Sequence, residues 1–164
     1  MKYVGVILIF ILAHSVYSLL NFHPWHLLQP FLIALIFLYF VIDNTWLHYA
    51  FALVAGLTMD SFGAAFGLYT ISFLTIVFLL RGLQLSIFSS KNTGTIISLA
   101  LIACLSFWLI IGLVYFIFSW SLYNLALSDF LAIIGFSLIN ALLVIFLYVL
   151  YFNLWLKRHE GRSF

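Results

Sequence analysis

The sequence predicts an all-α membrane protein: a polytopic bundle of six transmembrane helices, residues 1–164 forming a single domain with both termini in the cytoplasm. Two compositional observations carry the fold class. Hydrophobic residues make up 67% of the chain and charged residues only 6%, whereas a soluble domain carries roughly 25% charged residues. The charges also punctuate the chain, leaving uncharged runs at 3–42, 44–59, 61–80, 92–128 and 130–156. Most of these are near or above the ~20 apolar residues that a spanning helix needs. A net charge of +2 is too small for an electrostatic nucleic-acid footprint. The one cysteine, Cys104, excludes internal disulfides and thiolate metal clusters. It reads as a small packing residue.

The first segment covers 3–20. Lys2 followed by an apolar run ending in Ala13-His14-Ser15 imitates a secretory signal, but the run is long for one, and a retained span is the simpler reading. Polar side chains and Pro24 then break the helix at 21–26. The second segment, 30–43, begins at Pro30 and ends at Asp43-Asn44, a good turn sequence. A helix continuing through it would place Asp43 near the bilayer centre, at about 2.5–3.5 kcal/mol. The remaining segments are 46–61, 66–82, 94–120 and 129–156.

Orientation follows from the basic residues. With the N-terminus inside and six crossings, Lys2, Arg81, Lys91, Lys157, Arg158 and Arg162 all lie on the cytoplasmic side, as the positive-inside rule requires. Five crossings would expose every one of them except Lys2. Trp25, Trp46, Trp120 and Trp155 fall near segment ends, as an interfacial aromatic belt does.

The densest local signal runs from Gly56 to Tyr69. A continuous helix from Trp46 to Leu80 would be about 50 Å long, so the chain must reverse, and the small residues at 61–67 are where it can. Ala52 and Gly56 form a small-xxx-small pair, as do Gly63 and Gly67, and such pairs let backbones approach closely in lipid. Asp60 has two readings. As a structural residue it caps the bend, holding the end of the third helix by accepting hydrogen bonds from freed amides. As an ionisable group in a membrane segment it is a functional candidate. No basic side chain is placed to pair with it, which favours the cap. Gly67 is expected where another backbone comes close.

Asp129, Ser137, Asn140, Tyr148 and Tyr151 are spaced to share one face of the last helix. That stripe is either a pocket or partner-binding face, or a set of interhelical hydrogen bonds worth about 1 kcal/mol each. Ser128-Asp129 reads as an N-cap. His23 and His26 have Pro24 between them and no acidic partner, so no metal site is expected. No cofactor is expected either. No Gly-x-Ser-x-Gly elbow is present, and the chain reads as a non-enzyme.

Gly56-Leu57-Thr58-Met59-Asp60-Ser61-Phe62, then Gly67-Leu68 and Arg81, resembles the MreD family of rod shape-determining membrane proteins. Members carry a Gly-Leu-x-x-Asp stretch closing one helix, with a Gly-Leu pair opening the next. Gln29-Pro30 is similar to the family's Arg-Pro-Asp entry to the second helix, with Phe31 in place of the acid; Phe66 stands where a proline often precedes the second glycine. The resemblance implies a non-catalytic scaffold of the cell-elongation machinery in the bacterial inner membrane, supporting peptidoglycan synthesis in the lateral wall. Its implied partners are an MreC-like single-span protein, actin-like MreB, and a wall-synthesis glycosyltransferase and transpeptidase, beside the lipid bilayer that surrounds the chain. The implied fold is similar to the substrate-binding component of energy-coupling vitamin transporters, which makes a small-molecule-binding transporter subunit the alternative. Such subunits carry an Ala-x-x-x-Ala docking patch on the first helix, where this chain has only Ala13.

Overall fold

The computed structural model describes residues 2–20, 28–62, 67–86, 93–119 and 127–153. Among them are six helices: α1 (Lys2–Leu20), α2 (Pro30–Val41), α3 (Thr45–Phe62), α4 (Leu68–Ser86), α5 (Thr93–Ser119) and α6 (Leu127–Tyr151). Each matches a predicted segment. The main difference is a longer α4, which continues past residue 82 to Ser86; the end of the last predicted segment, 154–156, lies outside the described residues. His23, Trp25, His26, Gly63, Trp120 and Trp155 lie outside the described residues, as does the side chain of Asp129.

The break after α2 has a local cause. Ile42 turns extended (φ −114°, ψ 126°) after its amide closes on the Leu38 carbonyl. Asn44 then caps α3: its Oδ1 accepts from the Trp46 amide at 3.1 Å, and its carbonyl accepts from Leu47 and His48. Pro30 opens α2 at a position where the missing N–H is not needed.

α2 is the centre of the bundle. It packs on α1, α3, α5 and α6, while α4 packs on α3 and α5. Phe31, Leu32, Leu35 and Ile36 are wholly buried. Around it, the outer faces are apolar as well: Leu12, Phe78, Leu109 and Leu142 are all more than 60% exposed. A water-soluble bundle would place charge there; lipid accepts Leu and Phe on both sides of a helix.

Rings lock the helices together. On one side Phe31 of α2 meets Phe10 at 5.6 Å and Tyr17 at 5.7 Å on α1, and Phe10 meets Phe51 of α3 edge-on at 5.9 Å. On the other, Phe73 of α4 stacks on Phe107 of α5 at 5.6 Å, and the neighbouring Trp108 reaches Phe136 of α6 at 6.2 Å. Offset and edge-on ring pairs add about 0.5–1.5 kcal/mol beyond their burial.

Among the described residues, three helical stretches are long and apolar enough to cross a membrane: Leu68–Ser86, Gly94–Val114 and Leu131–Tyr151. This is the character of a membrane protein. α2 has 12 residues and is about 18 Å long at 1.5 Å per residue.

Candidate functional site

The joint between α3 and α4 is where the sequence motif lies. α4 starts directly after Gly67, whose φ of +89° is a conformation that glycine alone adopts freely. Gly67 accepts from the Ile71 amide through its carbonyl, as an N-cap does, yet it has no side chain to satisfy the amides of the first turn. Asp60 supplies it from the preceding helix. Its Oδ1 accepts from the Tyr69 amide at 2.8 Å, and its Oδ2 accepts from the Thr70 amide at 3.1 Å and the Thr70 hydroxyl at 2.6 Å. The carboxylate is 2% exposed and faces the positive end of the α4 dipole.

This corrects the expectation that Asp60 holds the end of the third helix. The end of a helix offers free carbonyls, which a carboxylate cannot bind; the free amides belong to the start of the next one. The cap is therefore a strap across the bend, from α3 to α4.

The bend also requires close approach, but at Gly56 and not at Gly67. A Cβ built on Gly56 would lie 2.4 Å from Thr70 Cα and 2.8 Å from its backbone nitrogen. A Cβ on Gly67 would meet nothing within 4 Å. The expectation of a tight contact at Gly67 is thus corrected: glycine is needed there for its backbone angle. Gly67→Ala should lower stability by about 1 kcal/mol through left-handed strain, with Gly67→Asn losing less. Thermal unfolding in detergent checks the order, and equal melting of Gly67→Ala and wild type would contradict it.

The polar stripe of α6 turns inward. Asn140 is fully buried; its Oδ1 accepts from the Gln29 amide at 3.0 Å, and its Nδ2 donates to the Phe136 carbonyl at 2.7 Å. Ser137 donates to the Ile133 carbonyl at 2.9 Å and lies 3.4 Å from the Cys104 carbonyl of α5. Tyr148 and Tyr151 meet Phe40 and Phe37 of α2 edge-on. Asn140 therefore ties α6 to the entry of α2, where a buried amide must find an acceptor. Asn140→Leu should orphan the Gln29 amide and cost about 1–3 kcal/mol, read as a lower melting temperature in detergent. An unchanged melting temperature would show that the tie is dispensable.

Phe31 is wholly buried beneath α1. A carboxylate there would have no place among those rings.

Sequence reasoning missed Thr70 and Gln29, the two partners of these ties. A threonine three places after a left-handed glycine, and a polar residue directly before a helix-opening proline, were the available signals. It also missed a polar cluster at the α2–α3 turn. There Tyr39 donates to Gln84 Oε1 at 2.6 Å, and His48 Nε2 donates to the Ile42 carbonyl at 2.8 Å.

Searches of family models, curated proteins and solved structures return no match to this chain.

Proposed function

We propose that this chain is a non-catalytic membrane scaffold of the bacterial cell-elongation machinery, a six-span protein of the inner membrane with cytoplasmic termini. The observation that carries the reading is the use of Asp60 as a cap, with three hydrogen bonds to its carboxylate. Both its oxygens are bound to the start of α4, so the acid of the Gly-Leu-x-x-Asp stretch serves architecture. The other motif residues have structural tasks of the same kind, Gly56 in the close approach and Gly67 in the turn. A scaffold needs helices held at fixed angles, and these residues do that.

Six spans are compatible with the short α2. A helix surrounded by α1, α3, α5 and α6 is solvated by protein, and its flanking residues need only reach the headgroups. By resemblance, the partners are an MreC-like single-span protein, MreB, and the glycosyltransferase and transpeptidase of lateral-wall synthesis. They would bind through lipid-facing helix surfaces.

Two experiments test this. Reporter fusions after Lys91 and after Arg162 should report cytoplasm and one at 122–127 the outside; an external C-terminus would overturn six spans. Crosslinking in native membranes should trap a single-span, MreC-like protein. Capture of an energy-coupling transporter subunit instead would replace the scaffold by the alternative.

A further inference from the structure

A second polar feature lies away from both ties, at the end of the bundle where α2 stops and α3 begins. A cavity of about 400 Å³ sits there, within the usual range of small-molecule sites of about 300–1,000 Å³. Tyr39 of α2, Asp43 of the turn, Thr45 and His48 of α3, and Arg81 and Gln84 of α4 contribute its polar lining. Tyr39 fixes Gln84 by bonding its amide oxygen, and His48 is fixed on the Ile42 carbonyl. Arg81 differs. Among the described residues it makes no hydrogen bond or ion pair. A guanidinium is a planar fork of donors that matches the oxygens of a phosphate. Here one borders a cavity beside the Gln84 amide and the Thr45 hydroxyl, which are neutral donors.

The outer face of α4 indicates what kind of phosphate. Ile71, Phe78 and Leu85 recur every seven residues, so they form one stripe, and they are 51%, 71% and 77% exposed. Arg81 lies between Phe78 and Leu85 on that stripe, three and four residues from each. The cation therefore stands near the end of an apolar track that leads back along the helix toward the middle of the bundle. Headgroup phosphates occupy this level at the ends of spanning helices, outside the ~30 Å hydrocarbon core.

We propose that the cavity holds the phosphate of a glycerophospholipid, with Arg81 and Gln84 on the phosphate oxygens and an acyl chain along Phe78 and Ile71. A free phosphate ester shares the headgroup chemistry but would leave the stripe unused. The site is independent of the scaffold reading and of its partners.

Binding is measured on the full chain, purified in a neutral detergent and stripped of lipid, by native mass spectrometry and by titration. Three probes are compared: phosphatidylglycerol, diacylglycerol with the same chains, and glycerol 3-phosphate. Phosphatidylglycerol should bind one to one and at least tenfold tighter than either of the others. Arg81→Gln should weaken it at least tenfold, and Arg81→Lys by less, because the charge remains without the fork. Since Arg81 contacts no described side chain as a hydrogen-bond or ion-pair partner, Arg81→Gln should melt like wild type without lipid. Equal affinity for phosphatidylglycerol and diacylglycerol would overturn the proposal on the wild-type protein alone. So would glycerol 3-phosphate binding as tightly as the lipid, or unchanged lipid affinity in a folded Arg81→Gln protein.

Discussion

Gly56→Leu is expected to leave little folded protein in the membrane, and Gly56→Ala substantially less than wild type. The reason is the neighbour. An added Cβ would lie 2.4 Å from Thr70 Cα, a backbone atom of α4 that cannot rotate away. The two helices must separate, and overpacking of this kind costs about 1–3 kcal/mol for modest additions. Separation would also lengthen the bonds from Asp60 to Thr70, because Gly56 and Asp60 lie one turn apart on the same face of α3. Fluorescence-detected size-exclusion chromatography gives the folded amount. Wild-type levels of Gly56→Leu would show that α3 and α4 do not approach as described.

Asp60→Leu is expected to have an effect of similar size by another route. It removes the acceptor for two backbone amides at the start of α4, each costing about 1–3 kcal/mol when left buried and unpaired. The Thr70 hydroxyl loses a bond too, although it can turn elsewhere. Asp60→Asn should fall between wild type and Leu. Its amide oxygen can take the Tyr69 amide, but its NH2 would then face the Thr70 amide, donor against donor. Only the Thr70 hydroxyl can adapt by accepting. The predicted order of folded protein is wild type, Asn, Leu, and an Asn variant as depleted as Leu would contradict it.

The elements of this fold were largely legible because the chain is punctuated. Asp43-Asn44 and the small residues at 61–67 interrupt apolar runs, and helices end beside both. Asp60 was legible as a cap for the same reason: a lone buried acid near a bend needs donors. That it binds the start of α4 follows from chain direction, which leaves free carbonyls at the end of α3 and free amides at the start of α4; that these are the amides of Tyr69 and Thr70 depends on how the joint folds. The roles of the glycines were hidden similarly. Small-xxx-small spacing marks both Gly56 and Gly67 as candidates for close approach, yet one is chosen by an adjacent backbone and the other by a dihedral angle. In α6 the spacing of Ser137 and Asn140 correctly placed them on one face, and burial turned that face inward. Nothing in that spacing pointed to Gln29, which lies 111 residues away.

The central claim is that Asp60 acts by holding α4 and has no separate chemical task. Under the scaffold function proposed above, its most direct test is activity per folded molecule in Asp60→Asn, measured as restoration of rod shape in cells depleted of the wild-type protein, divided by the folded amount in the same membranes. The account predicts that shape activity falls only in proportion to folded protein. Loss of activity at wild-type abundance would contradict it and make Asp60 a functional acid.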